Sequence, residues 1–189
     1  MIIKTKKQSI EKIKELGLNT FVSERFDCKN LEKIENFFEE TNATEYVLRD
    51  PEKASGKFFF VKNFGECKSK LKNYKSNVTI SVSFNELKDD LVLLGDIIVK
   101  KEFGNDVVDI TARSDKDATH RNIYEKPEFN FHANLEDDRL WNMPGFSKLI
   151  AYITEHELYD VIVEFAVFDC PVGNKKEKVA VFELRSEFW

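Results

Sequence analysis

The residues best placed to do chemistry lie near the end of the chain. Val161 to Phe168 reads as a strand, and strand side chains alternate between faces. Val161, Val163, Phe165 and Val167 therefore point one way, and Glu164 shares the other face with Ile162, Ala166 and Phe168. In the next apolar stretch, simple alternation puts Val179, Val181, Glu183 and Arg185 on one face. If the two strands pair, Glu164 and Glu183 come close. A carboxylate on a buried face is costly unless it is compensated. Two converging carboxylates call for a cation, and a hard divalent ion such as Mg²⁺ suits oxygen ligands. Arg185 can instead hold a phosphate through its forked donors. The competing reading is a partly solvated face of an antiparallel sheet, on which these residues are ordinary surface charge.

Two further constellations deserve the same weighing. Arg49 ends a strand at Arg49-Asp50-Pro51, and the loop Pro51 to Lys57 can fold over an anion through Lys53, Ser55, the Gly56 backbone and Lys57. The same residue types are also plain turn chemistry. Asp109 to Asn122 is the densest polar run, and His120 with Asp115 or Asp117 has the makings of an acid–base pair. It has no nucleophile signature beside it, which favours a solvated loop. His132 alternates with Phe129 and Phe131 on the less buried face of an extended piece. His156 ends a helix, where the dipole favours a cation.

Composition narrows the classes. The chain has 189 residues and a net charge of −5, which speaks against an obligate duplex-DNA binder. The charge is uneven, with seven lysines and one acid (Glu66) from Lys53 to Lys75. Beside the phenylalanines Phe58 to Phe60, that stretch offers an RNA- or single-strand-binding surface. Such a phenylalanine run is equally what a strand buried on both faces shows. Seven glycines are few for a Gly-rich phosphate loop, and no P-loop or dinucleotide fingerprint is present. Cys28, Cys67 and Cys170 are widely spaced and form no metal-ligand pair, which suits a reducing compartment. No apolar run is long enough to span a bilayer and no secretory signal opens the chain, so a cytoplasmic protein without membrane contact is expected.

The elements that must position these residues are legible from periodicity. Helices are expected from about Lys7 to Leu16, after the N-cap Asn30 (Leu31, Ile34, Phe37 and Phe38 forming its stripe), over Glu66 to Leu71, and from Pro144 onward with Phe146, Leu149, Ile150 and Ile153 buried. Strands are expected over Thr44 to Leu48, Lys57 to Lys62, Val78 to Phe84, Leu91 to Lys100, Val107 to Ala112, Glu128 to Asn134, Val161 to Phe168 and Val179 to Leu184. Arg113 to Lys126 reads as a loop. Helices and sequence-adjacent strands together predict an α+β fold, a mixed sheet with flanking helices. One domain spanning 1–189, with room for two lobes, fits the length.

The order of features resembles the ATP-grasp nucleotide-binding domain of phosphoenolpyruvate synthase and pyruvate phosphate dikinase. Lys6 precedes a helix that exits at Leu16-Gly17-Leu18-Asn19. A strand ends Val47-Leu48-Arg49-Asp50 and is followed by Ala54-Ser55-Gly56-Lys57. The close is Asp160-Val161-Ile162-Val163-Glu164-Phe165 and then Phe182-Glu183-Leu184-Arg185. The resemblance implies that Lys6, Arg49, Lys57 and Arg185 contact the nucleotide, and that Glu164 and Glu183 serve ATP or Mg²⁺. It departs from the family in lacking the Gly-Gly before the lysine, in carrying Asp50 for a serine and Glu183 for a glutamine, and in its short length. It implies an ATP- and Mg²⁺-binding, two-lobed ATP-grasp-like protein that serves as a phosphotransferase or ligase component. Two other functions compete: a non-catalytic protein-interaction or regulatory role, and an RNA-binding module using Lys53 to Lys75.

Overall fold

The computed structural model describes residues 3–4, 6–51, 58–102, 104–119, 122–172 and 177–186, with the backbone alone for Lys6 and Lys7. The chain divides into two compact units. The first comprises Met1–Thr20 with Asp89–Trp189, and the second is Phe21–Lys88.

The first unit is built on a five-stranded antiparallel sheet. Its strands are β5 (Leu91–Glu102), β6 (Asn105–Arg113), β7 (Phe129–Asn134), β8 (Val161–Phe168) and β9 (Val179–Ser186), in the order β7-β6-β5-β8-β9. One face is apolar. Leu93, Ile97 and Val99 of β5, Val108 and Ile110 of β6, and Val163, Phe165 and Val167 of β8 pack there with Ile13 of helix α1 (Lys6–Glu15) and Phe146, Leu149 and Ile153 of helix α6 (Phe146–Glu155). Burial of this set supplies the driving force, at about 25 cal/mol per Å² of apolar surface removed from water. Gly95 sits where β5 and β6 press together. A Cβ there would lie 2.4 Å from the Thr111 carbonyl oxygen and 2.6 Å from the Ala112 Cβ.

The outer edge of β9 is closed by the N-terminal segment through buried polar groups. Leu184 N–H donates to Ser9 Oγ at 2.8 Å, Val181 N–H to the Asn19 carbonyl at 2.8 Å, and Asn19 Nδ2 to the Val179 carbonyl at 2.9 Å. Ile3 N–H donates to Ser186 Oγ at 2.6 Å. Asn19 N–H in turn donates to the Tyr152 hydroxyl of α6 at 2.7 Å. These bonds explain why Ser9, Asn19 and Ser186 are buried despite their polarity.

The second unit carries a four-stranded antiparallel sheet in the order β1-β4-β2-β3, from β1 (Ser23–Asp27), β2 (Tyr46–Arg49), β3 (Phe59–Val61) and β4 (Asn77–Val82). Helices α2 (Leu31–Thr41) and α3 (Phe64–Leu71) cover one face. Ile34, Phe37, Phe38, Cys67 and Leu71 meet Tyr46, Leu48, Val78 and Ile80 there. Both helices begin as their sequences dictate: Asn30 accepts from Lys33 N–H, and Asn63 accepts from Glu66 N–H. Phe37 and Phe38 fall on the buried stripe and meet Tyr46 at ring-centroid distances of 6.2 and 4.1 Å.

Most expected elements form, three readings need correction, and two short elements were not expected. Phe58 to Phe60 are not buried on both faces. β3 is an edge strand, so Phe59 packs on the core while Phe58 and Phe60 stay 56% and 48% exposed and stack edge-on at 5.5 Å. The stretch Arg113 to Lys126 is not all loop, because it holds the short helix α4 (Asn122–Glu125). Helix α6 starts at Phe146, with Gly145 in the left-handed region (φ 75°) as its N-cap, so Pro144 precedes the helix. Strand β1 and the short helix α5 (Asp138–Trp141) escape periodicity because both are brief and largely polar.

Candidate functional site

The chemistry-bearing residues of the first unit stand on the sheet face opposite α6, and the register brings them into line. Asn130 of β7 pairs with Thr111 of β6, Thr111 with Asp96 of β5, Asp96 with Glu164 of β8, and Glu164 with Glu183 of β9. A transverse row thus crosses all five strands. Its last three members are carboxylates on adjacent strands.

Glu183 joins this row because β9 carries a bulge. Val167 pairs with Val179 and Phe165 with Val181, but Glu164 pairs with Glu183, so Phe182 is the extra residue. An extra residue flips every side chain beyond it to the other face. Val179, Val181 and Leu184 consequently reach the apolar core, and Glu183 and Arg185 face the carboxylate row. Simple alternation, which grouped Val179 and Val181 with Glu183 and Arg185, is corrected on this point. Without the bulge Glu183 would enter the core. Cross-strand Cβ atoms lie about 4.5–5.5 Å apart, so the expected proximity of Glu164 and Glu183 is met at the level of the backbone.

The strongest contact on this face involves a residue that sequence reasoning passed over. Asp96 is 8% exposed, in a strand otherwise lined by Leu94 and Ile98 on that face. Arg185 Nη2 donates to Asp96 Oδ2, and the Tyr124 hydroxyl of α4 donates to the same oxygen. Arg185 Nη2 also lies 3.4 Å from the Tyr124 hydroxyl. Guanidinium, carboxylate and phenol therefore form one knot on the row. The signal for Asp96 was a lone acid within Leu91 to Val99. The signal for Tyr124 was weak, being one aromatic in a polar stretch.

Beside the row, Lys100 Nζ meets Asp109 Oδ2 at 3.2 Å, and Asp109 Oδ1 contacts His132 Nδ1. His132 lies on the exposed face, as expected. Asp115 accepts from Arg113 Nε at 2.6 Å and from Asp117 N–H at 3.0 Å, which commits it to a turn. His120, its expected partner, lies outside the described residues. An open depression of about 400 Å³ has His132, Asn134, Asp137 and Arg139 among its lining residues. The Arg139 guanidinium holds the Asp137 carboxyl down to about 2, where it also caps α5.

Arg49 belongs to the second unit. It ends β2, is exposed, and shares the helix-free face of that sheet with Val47 and, through the register, with Thr79, Ser81 and Phe60. The loop residues Lys53, Ser55, Gly56 and Lys57 lie outside the described residues, as does the side chain of Lys6. In the same unit, burial pushes the Cys67 thiol up to about 12 and the Tyr74 phenol up to about 12.

The described residues do not by themselves make a Mg²⁺ centre. Among the described residues no three His, Cys, Asp or Glu side chains gather closely enough to hold a metal ion. Mg²⁺ is usually held by one or two carboxylates together with retained waters and substrate phosphates. Also among the described residues, no helix is long and apolar enough to cross a membrane.

No protein-family model matches the sequence, and no curated protein sequence matches it. Solved structures do. D-alanyl-alanine synthetase A from Vibrio cholerae superposes with a TM-score of 0.53 at 9% identity, over 96% of this chain and 54% of the other. D-alanine-D-alanine ligase from Helicobacter pylori gives 0.51 at 15%, over 95% and 53%. Carboxyaminoimidazole ribonucleotide synthase from Aspergillus clavatus, complexed with ATP, gives 0.54 at 12%, over 96% and 44%. The chain thus spans about half the length of the structures it matches. These neighbours are ATP-grasp enzymes. They support the ATP-grasp fold and do not support the phosphoenolpyruvate synthase and pyruvate phosphate dikinase branch in particular. The chain is an α+β protein with two antiparallel sheets, flanking helices and the ATP-grasp fold.

Proposed function

We propose that this protein binds ATP, and that the face of its five-stranded sheet opposite α6, with Glu164, Glu183 and Arg185, is part of the binding surface. The observation that carries the reading is the bulge at Phe182. It places Glu183 and Arg185 on one face with Glu164 and Asp96, in a fold shared with ATP-grasp enzymes. A buried carboxylate such as Asp96 is costly unless compensated, and a bulge that re-aims side chains is a feature met beside active sites. Mg²⁺ enters this proposal only as the ion that ATP carries in water, with Glu164 and Glu183 as the carboxylates that would meet it.

The reaction that best suits such a surface is phosphoryl transfer, as a ligase component or phosphotransferase. Its contribution would be positioning and charge stabilisation, without a covalent nucleophile. The cytoplasm is the compartment that suits an ATP-using protein with free thiols at Cys28, Cys67 and Cys170. Thermal melts with ATP test the binding claim. A ligand that binds only the native state raises the midpoint by mass action, by about 2.7 kcal/mol at 100 times its dissociation constant. A midpoint that is unmoved by millimolar ATP, with or without Mg²⁺, removes the reading.

A specific observation keeps one second reading. Phe58 and Phe60 are exposed and meet edge-on with ring centroids 5.5 Å apart, and on the other face of the same strand Lys70 Nζ of α3 lies 5.4 Å from the Phe59 ring centroid. Aromatic platforms beside cations bind single-stranded RNA with steep salt dependence. Binding of an oligonucleotide that falls at least tenfold between 50 and 200 mM salt, and that is lost in F58S/F60S, would favour it.

A further inference from the structure

An open sheet edge invites pairing with another chain unless charge, proline, brevity or cover blunts it. In the second unit, β1 carries Glu24, Arg25 and Asp27, and β3 is three residues long. In the first unit, the N-terminal segment closes β9 through Ser9 and Asn19. The remaining edge, β7, has none of these devices. It runs six residues with no Asp, Glu, Lys, Arg or Pro, and it pairs with β6 without a bulge. Its apolar side also runs out before it is covered. Phe129, Phe131 and Ala133 are half-buried, while their register partners Ala112, Ile110 and Val108 are at most 2% exposed.

The directions of the β7 backbone groups follow from the neighbouring hairpin. Glu102 and Asn105 form the closing rung between β5 and β6, and a rung this close to the turn is a hydrogen-bonded one. Hydrogen-bonded rungs alternate, so the backbone groups of Val107, Asp109 and Thr111 face β5, and those of Asp106, Val108 and Ile110 face β7. Leu135 N–H accordingly donates to the Asp106 carbonyl at 2.8 Å. On β7 the same alternation gives Phe129, Phe131 and Ala133 to the ladder, and it turns the N–H and C=O groups of Asn130 and His132 outward. Among the described residues nothing bonds those outward groups.

Charge says what kind of strand fits. From Glu128 to Arg139 there are four acids and one base, and that base, Arg139, is committed to Asp137 through Nε at 3.0 Å and Nη2 at 2.7 Å. The depression of about 400 Å³ beside His132 and Asn134 has Glu102 and Asp137 in its wall. We infer that the β7 edge is a docking site for an extended basic segment of another protein, which adds to the sheet as a sixth strand. Its backbone pairs with Asn130 and His132, and its apolar side chains cover Phe129, Phe131 and Ala133. A lysine or arginine on its other face enters the depression toward Glu102. A second copy of β7 is the poorer occupant, because it would set one acidic run beside another. The inference does not use Glu164, Glu183 or Arg185, so it and the proposed ATP binding stand or fall separately.

The test is fluorescence anisotropy of a labelled peptide of alternating lysine and valine, about eight residues long, titrated with the whole chain. Saturable binding with a dissociation constant below about 1 mM is expected. A peptide with glutamate for each lysine should bind about tenfold more weakly or worse. So should the lysine peptide N-methylated at its lysine backbone, which keeps its charge and loses the donors that face Asn130 and His132. Asn130→Pro keeps the ladder to β6, since the lost N–H points outward, and should weaken binding by about tenfold. If circular dichroism shows that Asn130→Pro does not fold, Asn130→Lys sets a like charge on the edge and is judged by the same criterion. Absence of saturable binding, equal binding of either control peptide, or unchanged affinity in a folded edge variant would overturn the inference. Sedimentation equilibrium in which the wild type self-associates and the edge variant does not would overturn it too, since a second copy would then hold the edge.

Discussion

Replacing Arg185 by Gln should destabilise the first unit, and the loss should depend on Asp96 being present. Asp96 is 8% exposed and would be left with a charge whose guanidinium partner is gone. Removing one partner of a buried pair costs about 3–5 kcal/mol. Arg185 keeps a side-chain exposure of 24%, so solvent screens part of the charge and the expected loss is nearer to about 3 kcal/mol. In a protein of this size that lowers the melting midpoint by roughly 6–12 °C. Asp96→Asn removes the charge but keeps a polar group, at about 2 kcal/mol. If the two side chains act as a pair, the double variant should lose about 3 kcal/mol, not 5, which leaves a coupling energy of about 2 kcal/mol. Urea unfolding followed by tryptophan fluorescence suits the measurement, because Trp141 of α5 reports on the first unit. Losses that add to within about 0.5 kcal/mol would refute the pairing and with it the reasoning that Asp96 needs Arg185.

Other consequences follow from packing and protonation. Gly95→Ala should cost about 3 kcal/mol, because a Cβ would press on the Thr111 carbonyl 2.4 Å away, and thermal melts read it directly. Tyr152→Phe leaves the buried Asn19 N–H without its acceptor, a loss of about 1–3 kcal/mol that hydrogen exchange at Asn19 should report. Cys67 and Tyr74, both pushed up to about 12 by burial, bind their protons more tightly when folded. Their contribution is complete below the unfolded values near 9 and 10, and it declines as pH rises toward 12. Urea unfolding followed by circular dichroism should therefore show stability falling from about pH 9 upward, and a Cys67→Ala variant, which keeps the raised Cys28 thiol, should show a shallower fall. Iodoacetamide labelling at pH 8 should modify Cys170 and Cys28 well before the fully buried Cys67.

The fold was legible where one face of an element is buried. Ile34, Phe37 and Phe38 announced α2, Leu149, Ile150 and Ile153 announced α6, and Val161 to Val167 announced β8. Apolar periodicity is the direct imprint of a core. Elements without a sustained stripe went unseen: β1 has one buried residue, Phe26, and α4 has only Ile123. The phenylalanine run misled because exposure depends on strand order, and nothing local says that β3 is an edge. The candidate site was half legible. Glu164, Glu183 and Arg185 could be picked out as charges in apolar strands, but their common face required a bulge, and a bulge is set by pairing to β8 and by the bonds from Ser9 and Asn19. Asp96 joined the row only through the β5–β8 register. Its importance lies in a partner 89 residues away in sequence, which no spacing rule within one strand reveals.

The most direct test of the central claim is equilibrium dialysis of the whole chain against radiolabelled ATP, with wild type and Glu183→Gln side by side. Saturable binding to wild type, competed by ADP and changed at least fivefold by Glu183→Gln, is the predicted result. Absence of saturable ATP binding up to millimolar concentration would contradict it.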